Sequence, residues 1–353
     1  LEVDYLIVGG GLAGATLACR LLQKQRSFVL VDPYQTESAS SVSAGICNPV
    51  VFRRLNLSWM ADTLMNEATA FYSQLESNLS TPLLDERSIV RVFSSEDEKA
   101  FWKAKINEVH LHHRIALAEQ LPAAEMLHAN RGGGLVKGVL QVHIAHLFNA
   151  LRERLILENR LITQPFDYTK LTISEESVSW QGIEAKRLVF CEGHGVSNNP
   201  FFNWLPLKPV KGEALLLTIN ELPDKHLYSK KITLCPLGNA TWWAGATYDW
   251  EDLSLNTTSE ARNTLLEQLR NLIQLPFQVI DHKAGIRPAA ADRRPLLGQH
   301  PDHQSLYVFN GFGTKGCMIA PYFSKCLLDF METKTPLAKE VTIARYQHLY
   351  QGG

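Results

Sequence analysis

Little in this chain invites a membrane, an oxidising compartment or a polyanionic partner. Its 353 residues hold six cysteines, Cys19, Cys47, Cys191, Cys235, Cys317 and Cys326, widely scattered and without a C-x-x-C. A chain of this size needs no covalent staples, so the scatter predicts reduced thiols and a cytoplasmic setting. No stretch approaches the roughly 20 uninterrupted apolar residues of a membrane span. The first residues run straight into an apolar strand carrying Glu2 and Asp4, without the basic start of a secretory leader. Both observations predict a soluble protein. The formal net charge of −1 gives no electrostatic reason for autonomous binding to nucleic acid or an anionic membrane. Internal repeats, low-complexity tracts and long linkers are lacking as well. No serine sits in a nucleophile elbow or a Ser-His-Asp order, which leaves hydrolase chemistry unsupported. Among His110, His112 and His113 only the 110/113 pair suits one helical face, and no Cys or acid cluster completes a shell. No metal is expected.

What is present begins at once. Tyr5–Val8 is an apolar, β-branched run stopped by Gly9-Gly10-Gly11, and Leu12 to Leu22 carries apolar residues at helical spacing. Phe28–Val31 is a second apolar run, closed by Asp32-Pro33. Strand, glycine turn, helix, strand is a βαβ opening. Gly9, Gly11 and Gly14 form G-x-G-x-x-G at the turn: Gly9 for the tight bend, Gly11 for backbone approach to a pyrophosphate, Gly14 for close helix–strand packing. Leu12 and Ala13 open the helix, whose N-terminal amides and dipole favour that pyrophosphate. Asp32, 23 residues after Gly9, is placed to accept hydrogen bonds from a ribose. Its charge would repel a 2′-phosphate, which argues against NADP.

Further along, helices are expected at Ser58–Ser77, Asp97–Glu108, Val142–Leu157 and Glu260–Ile273. Strands are expected at Ile89–Phe93 and Leu188–Cys191, with Gly132-Gly133-Gly134 read as a break before the third of those helices. Glu213–Ile219, Lys231–Leu234 and Thr241–Ala246 suggest an antiparallel sheet, unlike the opening βαβ in style. Leu306–Phe309 reads as a strand broken by Gly311-Phe312-Gly313, with a helix from Lys315 to Glu332. Its N-terminal dipole would again face a ligand. If that ligand is a flavin, the dipole stabilises negative charge on N1–C2=O as the ring is reduced, a need that a nicotinamide lacks.

With these motifs in order, the chain resembles the D-amino-acid oxidase superfamily of flavoproteins, closest to its glycine oxidase and sarcosine oxidase branch. It is also similar to the FAD domain of the bifunctional tRNA-modifying enzymes that remove a carboxymethyl group from a modified uridine. The resemblance covers nearly the whole chain. It rests on the Gly9–Gly14 turn, Ser43-Ala44-Gly45, Cys191-Glu192-Gly193, Pro209-Val210-Lys211-Gly212-Glu213, Gly245-Ala246-Thr247, Gly285-Ile286-Arg287-Pro288 with Asp292, Pro295 and Gly298, and Gly311-Phe312-Gly313-Thr314-Lys315-Gly316. It implies an α/β fold: a Rossmann-type FAD-binding domain (1–82, 140–206, 280–353) interleaved with an α+β substrate domain on an antiparallel sheet (83–139, 207–279). It implies FAD contacts at Gly9, Gly11, Leu12, Ala13, Gly14, Asp32, Pro33, Ser43, Ala44, Gly45, Cys191, Gly193, Arg287, Gly311, Gly313, Thr314, Lys315 and Gly316. Where sarcosine oxidases carry the cysteine that holds flavin covalently, this chain has Ile286-Arg287, so noncovalent FAD is expected. The family's second arginine after the last strand is replaced by Phe312-Gly313-Thr314-Lys315.

The candidates for chemistry follow. Arg287 can grip a substrate carboxylate in a bidentate fork, or pair with a local acid such as Asp292. Lys315 lies near flavin N1–C2=O or the substrate, or is solvated. Lys208 and Lys211 are either flavin-side lysines that promote reaction with oxygen or surface lysines at a sheet entry. Tyr248, Trp242 and Trp243 form an aromatic wall around an amine, or are core. The reaction expected is oxidation of the C–N bond of an amine or amino acid, favouring a carboxylate-bearing secondary amine such as an N-substituted glycine. Hydride passes to flavin N5, the imine hydrolyses, and oxygen or another acceptor reoxidises the flavin. Alternatives are a non-catalytic nucleotide-binding or regulatory protein on the same scaffold, and removal of a carboxymethyl group from a modified tRNA nucleoside. An NAD-dependent dehydrogenase would need a nicotinamide site, and no second glycine-rich motif supplies one.

Overall fold

The computed structural model describes residues 1–34 and 38–352. Glu2–Val8 is flanked in parallel by Phe28–Val31 on one side and Ile183–Phe190 on the other. Its alternation sorts the core: Tyr5 and Ile7 face one layer, Leu6 and Val8 the other. On the first face, Leu17, Ala18 and Leu21 of the helix Leu12–Gln23 pack with the helices Ala61–Leu79 and Gly316–Thr333. On the second, Phe190 meets Trp180 and Phe202. Leu306–Asn310 lies parallel to the second half of Ile183–Phe190, so Val8, Phe190 and Asn310 end side by side. Among the described residues this sheet has eight strands.

The other large sheet has nine. Val210–Thr218 runs antiparallel to both Thr241–Gly245 and Gln278–Arg287. Thr233–Gly238, His226–Ser229, Leu84–Val92 and Gly133–Val142 extend it, with Ile46–Cys47 at the far edge. Leu265 and Leu269 of the helix Ser259–Arg270 cover one face. No described helix is long and apolar enough to cross a membrane.

Two local expectations give way. Gly133 and Gly134 do not break the chain: they begin the ten-residue strand Gly133–Val142, and the helix starts only at Ile144. A Cβ on Gly134 would sit 2.6 Å from the Trp102 ring, and one on Gly133 would overlap the Arg91 carbonyl, so both glycines serve close approach. The expected strand Lys231–Leu234 is instead the turn and second arm of a hairpin, with Ser229 opposite Thr233. Gly285-Ile286-Arg287, which the sequence assigned to no element, ends the edge strand Gln278–Arg287, whose outer half is too polar to show an apolar run.

Candidate functional site

The two sheets meet along one elongated cavity of about 630 Å³, within the range of small-molecule and cofactor sites. Its floor starts where Val8 hands over to Gly9. Gly9 has φ +98°, and a Cβ there would meet the Cys191 carbonyl oxygen at 2.5 Å. A Cβ on Gly14 would overlap the Gly9 carbonyl, so Gly14 packs the helix under the turn and is not part of the lining. Gly9, Gly11, Leu12 and Ala13 do line the cavity.

Asp32 and Pro33 line its far end. The Asp32 carboxylate is held by two backbone donors, Gly10 N at 2.5 Å and Tyr34 N at 2.7 Å. It therefore keeps acceptor capacity toward the cavity in a fixed direction. Leu12 N donates to Ser40 Oγ at 3.1 Å, which draws the Ser-rich segment over the glycine turn. Ser43, Ala44 and Gly45 form the next stretch of wall. Gly45 has φ +72°, and a Cβ would overlap the Val142 carbonyl.

Cys191 and Gly193 close the floor beyond Phe190. Burial holds the Cys191 thiol well above its ordinary pKa, so it stays protonated and unreactive. Asn310 Nδ2 donates to the Gly193 carbonyl at 2.7 Å, binding the two strand ends together. Between them Glu192 accepts from the Tyr168 hydroxyl and from Asn199 Nδ2, while burial raises its pKa. Sequence reasoning named Glu192 only as a motif member and missed Ser40 and His194, which also line the cavity.

The C-terminal return splits. Gly313, Thr314 and Gly316 line the cavity, and the helix Gly316–Thr333 starts there with its N-terminus inward. Gly311 and Lys315 do not line it. Gly311 has φ +82° and lies close against Leu296. Lys315 Nζ turns instead to the Asn48 carbonyl at 2.9 Å and to Ser58 Oγ, and burial brings its pKa down to about 8.

Arg287, at the end of the strand Gln278–Arg287 in the second sheet, also lines the cavity. Its Nη1 donates to the carbonyls of Thr247 at 3.2 Å and Lys211 at 3.4 Å, and its guanidinium lies 4.6 Å from the centre of the Tyr248 ring. No carboxylate among the described residues pairs with it. Asp292, the alternative partner, is bound by Arg345 at 2.9 Å. Burial lowers the Arg287 pKa, the mark of a cation short of compensating charge. Gly212 is glycine because a Cβ would overlap this guanidinium.

Tyr248 and Trp243 line the cavity, whereas Trp242 is 1% exposed and belongs to the core. Lys211 fits neither role expected of it. It is 1% exposed, outside the cavity lining, and donates to Asp252 and the Asn256 carbonyl, with Glu213 at 3.6 Å. Lys208 is exposed. His110, His112 and His113 are exposed in the turns after the helix Glu96–Lys105, and no group of three metal-ligating side chains converges among the described residues.

A cavity that runs from an anchored acid, across a glycine turn, to a second inward helix terminus defines a dinucleotide-dependent oxidoreductase of the two-sheet type. The chain belongs to the family of FAD dependent oxidoreductases (DAO), whose model matches residues 4–329. FAD is its cofactor, and the residues present fit one. Glycines leave the floor clear at Gly9, Gly11 and Gly313, and the anchored Asp32 offers acceptors at one end of the cavity.

The chain is 23% identical to the tRNA 5-methylaminomethyl-2-thiouridine biosynthesis bifunctional protein of Marinobacter nauticus, over 92% of this chain and 54% of that one. It thus spans about half the length of such bifunctional relatives. It is 24% identical to the glycine oxidase of Pseudomonas putida, over 96% of each. The solved glycine oxidase of Geobacillus kaustophilus matches with a TM-score of 0.79 at 20% identity, covering 100% of this chain and 99% of that one. The iminodiacetate oxidase of Chelativorans sp. BNC1 matches at 0.77 and 18%, covering 97% and 98%. These structures share the fold.

Proposed function

We propose that the protein oxidises the C–N bond of a small amine that carries a carboxylate, an N-substituted glycine being the favoured class. The observation that carries this reading is Arg287: a partly buried guanidinium facing the cavity, without a carboxylate partner among the described residues. Such a fork is matched to a carboxylate by geometry as well as charge. Similarity to glycine oxidases and an iminodiacetate oxidase supports the same substrate class. When bound, FAD supplies the hydride acceptor at N5 of its ring. The chain's own part is orientation. Arg287 fixes the carboxylate, its two carbonyl partners fix Arg287, and Trp243 and Tyr248 wall the amine in. The imine is released to water, and dioxygen is the proposed final electron acceptor. Similarity to the bifunctional tRNA-modifying proteins supports a second reading, removal of a carboxymethyl group from a modified nucleoside, which uses the same N-carboxymethyl chemistry.

The deciding experiment is the visible spectrum of the purified holoprotein during anaerobic addition of glycine, sarcosine and iminodiacetate. Bleaching of the flavin bands by one of them is expected. Bands that persist with all three would remove this substrate class.

A further inference from the structure

Beside Tyr248 in the cavity wall stands a second aromatic ring, Trp250, which is outside the lining and which the proposed reaction does not use. Tyr248, at the rim, is 55% exposed, and Trp250, beyond it, is 66% exposed. Their centroids are 6.1 Å apart with planes inclined by 24°, a stacked arrangement. Exposing two adjacent large rings costs hydrophobic stabilisation that folding does not recover.

The segment that carries them is fixed from below. Asp249 exchanges both backbone hydrogen bonds with Lys211, at 2.8 and 3.0 Å. The Lys211 ammonium holds Asp252 and the Asn256 carbonyl. Glu213 accepts from Thr258 N at 2.9 Å and the Thr258 hydroxyl at 3.0 Å. The rings therefore stand on an anchored platform. Residues 248–258 also include three acids, Asp249, Glu251 and Asp252, the last of them paired with Lys211, and no basic residue. That charge repels a polyanion and suits a neutral or cationic group.

We infer that Tyr248 and Trp250 form a distal subsite for a planar, uncharged or cationic N-substituent of the amine. The inference rests on the amine-oxidation reading and names its substrate class more narrowly. Arg287, 4.6 Å from the Tyr248 ring, sets where the carboxylate ends. A substituent on the nitrogen then leaves the cavity past Tyr248 and stacks toward Trp250. Glycine and sarcosine have nothing to place there.

The test is anaerobic calorimetry of the chemically reduced holoprotein, whose flavin can accept no hydride, and of its Trp250→Ala variant with sarcosine and N-benzylglycine. The expected result is fivefold to tenfold tighter binding of N-benzylglycine by the parent, the scale of one aromatic contact. In Trp250→Ala that preference should shrink to within twofold while sarcosine affinity holds. Equal affinities in the parent, or a preference that survives the substitution, would overturn the subsite. So would unfractionated tRNA that binds the parent tightly and loses affinity in Trp250→Ala. Binding is read without turnover. Failure of both amines to bleach the oxidised flavin would therefore strike the amine-oxidation reading, while the affinity ratio decides the platform.

Discussion

At the scale of single residues, two cations near the cavity do opposite work. Arg287 faces it without a counter-charge among the described residues. Lys315 turns away and ties the start of its helix to Asn48 and Ser58. Removing Arg287 should raise KM for a carboxylated amine by about 100-fold, the value of a charge-assisted fork, and Arg287→Lys should recover little of it. Steady-state kinetics with the amine that bleaches the flavin checks this. For Lys315 the prediction is one of stability. Its folded pKa of about 8 lies below the ordinary 10.5, so between those values the unfolded chain holds more protons. Raising the pH through that window should favour the folded state, and the burial penalty is present in full below pH 8. The thermal midpoint of the parent relative to Lys315→Met should therefore climb from pH 8 to 10.5. A difference that stays flat would mean an ordinary solvated lysine. The motif around Gly285 and Pro288 already offered Arg287 as a carboxylate grip, with Asp292 as the rival partner, whereas the direction of Lys315 was not legible. The choice for Arg287 turns on neighbours that prove to be carbonyls, and a lysine's direction depends on a loop far away in the chain.

At the scale of elements, the opening strand, glycine turn and helix were legible because each carries its own local signal. Tyr5–Val8 is apolar, Gly9 must bend, and Leu12 to Leu22 repeats at helical spacing. The strands Gly133–Val142 and Gln278–Arg287 were not, for contrary reasons. In the first, glycine marks contact with Trp102 and Arg91 rather than a turn. In the second, an edge position leaves Asp281, His282 and Lys283 free to be polar. The same difficulty hid Lys211, whose buried bonds pin the stretch after Thr247 to the sheet. Lys211→Met should cost about 1–3 kcal/mol in chemical denaturation, as expected when charged hydrogen bonds are lost. It should also speed amide exchange across residues 247–258 and raise KM for the amine with kcat changed less than threefold. Exchange unchanged in that stretch would leave Lys211 without this positioning role.

At the scale of the whole molecule, the glycine turn and its acid made the dinucleotide reading legible, and the ordered motifs made the two-sheet fold legible. What no motif announced is that both sheets wall a single cavity. A ligand that spans it braces both at once and binds only the folded chain. Free FAD at about 100 times its Kd should therefore add about 2.7 kcal/mol to the stability of deflavinated protein. That corresponds to a rise of roughly 3 to 4 °C in thermal midpoint, readable by scanning calorimetry. No rise would contradict the fit of FAD to this cavity.

The three strand ends that meet at Val8, Phe190 and Asn310 come from distant parts of the chain. During translation the turn at Gly9–Gly14 leaves the ribosome long before Gly313–Gly316. A nascent chain stalled ahead of Leu306 would carry the whole fingerprint but lack the Asn310 strand end and the lining from Phe312 to Cys317. Completion of the cavity is thereby postponed until residues 310–317 have been made, and each chain must keep its half-built cleft from sticking to others until then.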